Sequence, residues 1–261
     1  PPRSTLFPYT TLFRSSAAEI AIMREAGRIN AEALEAAKAA IAPGVSTLEL
    51  NEAVEAVHRK YGVYSPFKNY PGPYPFPASI CASVNEELVH GIPDKRKLKE
   101  GDIVSIDCGT VYQGFVGDSA FTVGVGEITP LAQKLIEVTK QALDAAIAQM
   151  VPGNHLGDIG AAVEALVLKH GFHVTHLYTG HGVGREMHES PMVPNYGQPG
   201  QGILLREGMT LAIEPMVLVG TRYTRELKNQ WTVISRDRSL TAHQEHTVAI
   251  RANGPEILTQ L

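Results

Sequence analysis

Small and apolar residues recur at helical spacing in four segments of the chain. The first segment follows the capping box Ser16-x-x-Glu19 and predicts a helix that runs to about residue 40. A second capping box, Ser46-x-x-Glu49, predicts a helix that ends at Gly62. Thr129-Pro130 is typical of a helix start, and we expect a third helix from there to about residue 150 and a fourth from about 156 to 170.

Shorter apolar runs predict β-strands at residues 79–84, 209–214 and 245–250, and the last two each carry a glutamate at one end. The longest run, residues 103–123, indicates two strands joined by a turn near Tyr112 to Gly114. If the turn is centred near residues 112 and 113, Asp107 and Asp118 lie directly opposite each other on one face of the hairpin. Opposed like charges destabilise a hairpin unless a cation lies between them, so we interpret it as half of a two-metal site.

An internal repeat relates the two halves of the chain. The segment from Pro43-Gly44 to Gly62 matches the segment 152–171 at a constant offset of 109 residues. Each half then contains two helices, a His-Gly pair and strands that carry acidic residues. We therefore predict a single α+β domain at residues 16–261, built from halves at 16–126 and 127–261 that are related by a pseudo-twofold axis, with a ligand site between them. Residues 1–15 show no periodicity and are expected to form a disordered tail outside this domain.

Composition narrows the class of protein. The chain has 261 residues, of which 44% are hydrophobic and 19% charged, and it contains no apolar run near the ~20 residues of a membrane helix. The net charge of −4 gives no electrostatic footprint for nucleic acid. Two cysteines are too few for a disulfide framework or a cysteine-based zinc module, so we expect a reducing, cytoplasmic location.

The candidate metal ligands combine four carboxylates with one imidazole: Asp107, Asp118, His181, Glu214 and Glu245. Two divalent ions would balance the four negative charges and would activate a bridging hydroxide. Oxygen-rich ligation with one histidine favours Mn²⁺ or Fe²⁺, with Co²⁺ and Zn²⁺ also possible.

Each of these residues taken alone has a simpler interpretation. An Asp-x10-Asp pair can cap a turn, a lone glutamate at a strand end is usually a surface charge, and Cys81 fits a core or pocket thiol rather than a nucleophile. These simpler interpretations do not explain all of the residues together, because burying several unpaired carboxylates would destabilise the folded protein. Serine hydrolase chemistry fits poorly because no Gly-x-Ser-x-Gly motif occurs. A dinucleotide site fits poorly because the glycines at 180, 182 and 184 lie between histidines.

Several longer motifs are similar to those of one enzyme family, the type I methionine aminopeptidases, over residues 17–258. The motifs are Ser83-Val-Asn-Glu-Glu-Leu-Val-His90-Gly-Ile-Pro, Asp107-x10-Asp118, Gly180-His181-Gly-Val-Gly-Arg-x-x-His188-Glu-x-Pro, Gly208-Met-Thr-Leu-Ala-Ile-Glu214-Pro-Met, Trp231-Thr and Glu245-His-Thr. The resemblance implies a pita-bread fold, with duplicated α+β halves around a central antiparallel sheet. It also implies removal of the initiator methionine from new polypeptides with a small second residue, by a hydroxide that bridges two metal ions.

The same resemblance implies roles for individual residues. Asp107, Asp118, His181, Glu214 and Glu245 would bind the metals, and Asp118 and Glu245 would bridge them. His90 would contact the substrate near its scissile amide, His188 would stabilise the carbonyl oxygen, and Glu214 would assist proton transfer. Cys81, Met187, Trp231 and one aromatic residue of the 70–76 loop would line the methionine pocket. The implied partner is the N-terminus of a nascent polypeptide at the ribosome, and the implied state is a monomer.

Two alternatives stay open at this stage. Proline-specific aminopeptidases and prolidases share the implied fold and metal ligands, although they usually carry a large additional N-terminal domain. A non-catalytic protein of the same fold would bind partners instead, although such proteins lose metal ligands and all five are present here.

Overall fold

The computed structural model describes residues 14–261, and within this range the chain forms four helices and fourteen strands. The helices are α1 (Ala17–Ala40), α2 (Thr47–Tyr61), α3 (Pro130–Ala148) and α4 (Leu156–Lys169). The strands are β1 (Cys81–Val84), β2 (Glu87–Val89), β3 (Ile103–Tyr112), β4 (Phe115–Gly124), β5 (His173–Val174), β6 (Gly180–Gly182), β7 (Glu189–Val193), β8 (Thr210–Ile213), β9 (Met216–Leu218), β10 (Thr224–Glu226), β11 (Val233–Ser235), β12 (Thr241–His243), β13 (Glu245–Arg251) and β14 (Gly254–Ile257). None of the helices in the described range is long and apolar enough to cross a bilayer.

The helix boundaries follow from local side-chain hydrogen bonds. Both predicted capping boxes are present, at Ser16 with Glu19 and at Ser46 with Glu49. The hydroxyl of Thr129 accepts a hydrogen bond from the backbone of α3, and Pro130 occupies the first turn, where no backbone donor is needed. The four predicted helices are therefore confirmed.

The internal repeat has a structural counterpart in its glycines. Gly44 and Gly153, which precede α2 and α4, have φ angles of 91° and 100°. Gly62 and Gly171, which follow these helices, have φ angles of 66° and 79°. Glycine adopts such angles at a lower cost than other residues, so the same backbone path is favoured twice at these two turns.

The main sheet is antiparallel and has the strand order β1-β3-β4-β13-β8-β6-β7, with β14 paired to β13. Helices α1 and α2 pack on β3 through an apolar cluster that includes Leu34, Leu50 and Val104. Helices α3 and α4 pack on the other half of the sheet through Leu135 and Leu211. Pairing of β4 with β13 joins the two halves, and the smaller sheets β10-β11-β2 and β12-β9-β5 complete the described fold.

The register of the β3–β4 hairpin corrects one prediction. Tyr112 pairs with Phe115, so the turn is centred on Gln113 and Gly114, which both have positive φ angles, 48° and 78°. Asp107 therefore lies opposite Ala120 rather than opposite Asp118. The two aspartates are diagonal neighbours, and they still project from one face because side chains alternate along each strand.

The N-terminal tail predicted for residues 1–15 lies largely outside the described residues. Ser15, which lies inside them, donates its backbone N–H to the carbonyl oxygen of Gly208 at 2.8 Å. Arg14 donates from Nε to the carbonyl oxygen of Glu207 at 2.7 Å. Immediately before α1 begins, the chain is thus held against residues 207 and 208, beside the C-terminal end of β13.

Helix α1 crosses β4 at a contact between two glycines. A methyl group on Gly117 would lie 2.6 Å from the backbone nitrogen of Gly27, and one on Gly27 would collide with the carbonyl oxygen of Leu258. Backbone atoms cannot move aside as a flexible side chain can. The absence of a side chain at both positions therefore sets how closely α1 approaches the sheet.

We expect Gly27→Ala to destabilise the protein by about 1–3 kcal/mol, the usual cost of overpacking. On an exposed helix the same change stabilises by about 1 kcal/mol, so the sign separates the two effects. Chemical denaturation measures the free energy of unfolding, with Ala21→Gly on the exposed face of α1 as the control for helix propensity. An increase in stability for Gly27→Ala would show that the close contact does not exist.

Candidate active site

Four adjacent strands align a row of side chains across the junction of the two halves. Asp107 on β3 and Glu245 on β13 both pair with Ala120 on β4, and Cys81 on β1 pairs with Asp107. Directly opposed residues project from the same face, so these four side chains lie in one row. Asp118 shares this face because it lies two residues from Ala120. A single methyl group thus separates two buried carboxylates.

A second row brings a histidine to the same face. His181 on β6 and Thr247 on β13 both pair with Ala212 on β8. His181 Nδ1 lies 2.9 Å from the carbonyl oxygen of Gly182, which can only accept a hydrogen bond, so Nδ1 carries the proton. Burial is the main cause that lowers the pKa of His181 to about 3. Its Nε2 atom is therefore unprotonated at neutral pH and has a lone pair available for a metal ion. This atom lies 3.7 Å from an oxygen of Asp118.

The acidic and imidazole groups form two clusters that could each hold a metal ion. One consists of Asp118, His181 and Glu245, and the other of Asp107, His243 and Glu245, with the ligand atoms of each cluster within 4.8 Å of one another. Glu245 belongs to both. Glu214 lies between the two imidazoles, with Oε1 3.5 Å from His181 Nε2 and Oε2 3.4 Å from His243 Nε2.

The chemistry of these groups fits a divalent cation. Within the described chain, one oxygen each of Asp107, Asp118 and Glu245 and the Nε2 atom of His243 are buried without a hydrogen-bond partner. Burial, followed by the charge of Asp118, raises the pKa of Asp107 and of Glu245 well above the usual range. Burial also raises the pKa of Asp118 and Glu214. A cation removes this penalty, and oxygen donors with imidazole are suitable ligands for Mn²⁺, Fe²⁺, Co²⁺ and Zn²⁺.

These ligands line a cavity of about 300 Å³ that also has an apolar wall. All ten residues predicted for the site line it: Cys81, His90, Asp107, Asp118, His181, Met187, His188, Glu214, Trp231 and Glu245. The wall includes both Tyr70 and Phe76 of the loop that was predicted to supply one aromatic residue. The ring of Phe76 meets Trp231 edge to face at 5.1 Å between centroids.

Two further histidines stand in this cavity. Tyr70 Oη lies 2.7 Å from His188 Nδ1, and the His188 ring lies 4.3 Å from that of His181 between centroids. Burial lowers the pKa of His188 and raises that of Tyr70, so both are uncharged at neutral pH. Burial, followed by the neighbouring histidines His243 and His188, lowers the pKa of His90 to about 4.

Sequence reasoning missed several residues of this site. Phe67 and Tyr178 line the cavity but come from segments with no motif of their own. His243 is the more important omission because it belongs to one of the two ligand clusters. Its only sequence signal was its position two residues before Glu245, and a separate short strand carries it.

Comparison with known proteins agrees with this geometry. Residues 21–252 match metallopeptidase family M24. A methionine aminopeptidase of Clostridium acetobutylicum is 51% identical, over 92% of this chain and 96% of that protein. Methionine aminopeptidase 1 of Bacillus subtilis is 48% identical, over 93% of this chain and 97% of that protein.

Solved structures show the same fold. The crystal structure of methionine aminopeptidase from Thermotoga maritima has a TM-score of 0.93 and 44% identity, and the match covers 96% of this chain and 100% of that one. A prolidase from Pyrococcus horikoshii has a TM-score of 0.75 and 25% identity, over 95% of this chain but only 63% of the prolidase. The predicted pita-bread α+β fold is thereby confirmed, and the chain belongs to metallopeptidase family M24 and, within it, to the methionine aminopeptidases.

Proposed function

We propose that this protein removes the N-terminal methionine from peptides and new polypeptides whose second residue is small. The observation that carries the proposal is one cavity that combines an apolar, aromatic wall with a buried cluster of metal ligands. The wall suits an apolar side chain, and the cluster suits hydrolysis of the adjoining peptide bond. The relatives named as methionine aminopeptidases support the same reaction.

The proposed cofactor is a pair of divalent ions, with Mn²⁺, Fe²⁺ or Co²⁺ preferred and Zn²⁺ possible. Asp107, Asp118, His181, Glu214 and Glu245 are the proposed ligands, and Asp118 and Glu245 the proposed bridges. The membership of Glu245 in both ligand clusters supports its bridging role. When bound, such ions would lower the pKa of water and polarise a peptide carbonyl.

The apolar wall is the proposed site for the methionine side chain. A thioether makes favourable contacts with the edges of aromatic rings, and Tyr70, Phe76 and Trp231 supply such rings here. Cys81 and Met187 complete the wall. Burial raises the pKa of the Cys81 thiol, so Cys81 is a neutral packing group rather than a nucleophile.

Three polar groups are proposed to act on the scissile peptide. A neutral His188 whose Nδ1 accepts a hydrogen bond from Tyr70 would carry its proton on Nε2 and could donate it to the substrate carbonyl oxygen. His90, also neutral, is proposed to contact the substrate near the scissile amide. Glu214 is proposed to pass a proton to the leaving amine.

The proposed setting follows from the proposed substrate. New N-termini appear at the ribosome, so we place the protein in the cytoplasm, acting on nascent chains as a monomer. Both cysteines are buried and free, which agrees with a reducing compartment.

A peptide assay tests the function directly. We expect the metal-loaded protein to release methionine from Met-Ala-Ser and to leave an Ala-Pro dipeptide intact, because the cavity wall suits a thioether side chain. Amino-acid analysis of the products measures both reactions. Cleavage of Ala-Pro in preference to Met-Ala-Ser would support the prolidase alternative, and no cleavage of either by protein with bound metal would support a non-catalytic role.

Glu245→Gln tests the shared ligand. We expect this variant to lose most of its bound metal at both positions and most of its activity while staying folded, because Glu245 contributes to both clusters. Metal content per chain after equilibrium dialysis is the measurement, and circular dichroism verifies the fold. Glu52→Gln, the same chemical change on an exposed part of α2, should keep wild-type metal content. Near wild-type turnover in Glu245→Gln would contradict the assigned role.

His188→Ala is expected to lower kcat by about 100-fold or more, the effect of removing one donor to a developing oxyanion. Tyr70→Phe should lower kcat by a smaller factor, because it removes the contact that orients His188 and leaves the imidazole in place. Steady-state kinetics with Met-Ala-Ser separates kcat from KM. A change in KM alone for His188→Ala would mean that His188 only binds the substrate.

A further inference from the structure

His243 is held rigidly beside the proposed metal centre. It is the last residue of β12 and pairs with Met216 on β9, and its side chain is almost completely buried. Its backbone N–H donates to Thr122 Oγ1 at 2.9 Å, and its carbonyl oxygen accepts from the same hydroxyl at 2.7 Å. Both backbone contacts fix the direction in which the imidazole leaves the strand.

The Nε2 atom of His243 points at carboxylates and makes no hydrogen bond within the described residues. It lies 3.4 Å from Glu214 Oε2 and 3.6 Å from Glu245 Oε2. Hydrogen bonds from N–H to O are typically 2.7–3.2 Å long, and those to charged oxygens are shorter still. The distances from His243 Nε2 to the two glutamate oxygens are therefore too long for hydrogen bonds. His243 does not simply orient a carboxylate by donating to it.

His243 repeats the surroundings of His181. His181 Nε2 lies 3.5 Å from the other oxygen of Glu214 and 3.7 Å from Asp118. Glu214 thus has one imidazole against each of its two oxygens. Each imidazole also shares a ligand cluster with Glu245 and with one aspartate, Asp118 for His181 and Asp107 for His243.

We propose that His243 Nε2 is a sixth protein ligand of the metal centre, on the ion held by Asp107 and Glu245. Each ion then has one nitrogen donor, and the centre consists of four carboxylates and two imidazoles rather than four carboxylates and one. The inference rests on the proposed two-metal function and adds a residue to it. Imidazole suits Fe, Ni, Cu and Zn better than it suits Mg or Ca, so a second nitrogen favours transition metals at this position.

Proton NMR of the protein loaded with two equivalents of Co²⁺ counts the imidazole ligands without an activity assay. An imidazole bound through Nε2 carries an exchangeable Nδ1–H whose resonance the paramagnetic ion shifts far from the protein envelope. We expect two such resonances in the wild-type protein, labelled with ¹⁵N in histidine. His243→Gln should lose one and His181→Gln the other. His173→Gln, in the same small sheet as His243 but in neither ligand cluster, should keep both.

The outcomes separate this inference from the proposed function. A single shifted resonance in wild-type protein that binds two cobalt ions and cleaves Met-Ala-Ser would overturn the inference and leave the proposed function intact. Two resonances that both persist in His243→Gln would also overturn it. A chain that binds no cobalt would overturn the proposed function itself. The wild-type count decides the matter even if His243→Gln does not fold.

Discussion

Repulsion between buried carboxylates is the physical constraint that governs the cavity at the junction of the two halves. Asp107, Asp118, Glu214 and Glu245 all line one cavity, and burial raises the pKa of each. In the absence of a cation these groups would have to take up protons, because ionised carboxylates are strongly destabilised where water is excluded. The fold therefore concentrates negative charge at a cost in free energy that a bound divalent metal would relieve, as suits a member of a metallopeptidase family.

Small residues make that concentration of charge sterically possible. Ala120 separates Asp107 from Glu245, and Ala212 stands in the same relation to His181 and Thr247. A larger side chain at either alanine would project from the same face, into the space that the ligands share. At the level of packing, Gly27 and Gly117 bring α1 directly against β4, which carries Asp118. The positions of the proposed ligands are thus set by residues that themselves have no reactive side chain.

Much of this could be predicted from the sequence, because the signals were local. Capping boxes and paired glycines defined the helices, and motif spacing pointed to the five proposed carboxylate and imidazole ligands. The hairpin register was predicted wrongly, since Gln113 gives no sign that it adopts the positive φ angle that its turn requires. His243 was missed because a short strand of a different sheet brings it to the site. Such long-range placement leaves no periodic signal in the chain.

The pairing of β4 with β13 has a consequence for the whole molecule. Backbone pairing across this junction includes Glu245 with Ala120 and His246 with Ser119, and Thr247 Oγ1 adds hydrogen bonds to the backbone of Asp118. A metal ion bound there is a cross-link between the two halves of the chain. By thermodynamic linkage, a ligand present at 100 times its dissociation constant stabilises the folded state by about 2.7 kcal/mol. The concentration of free metal in the cell would then set the equilibrium stability of the folded protein as well as its catalytic competence.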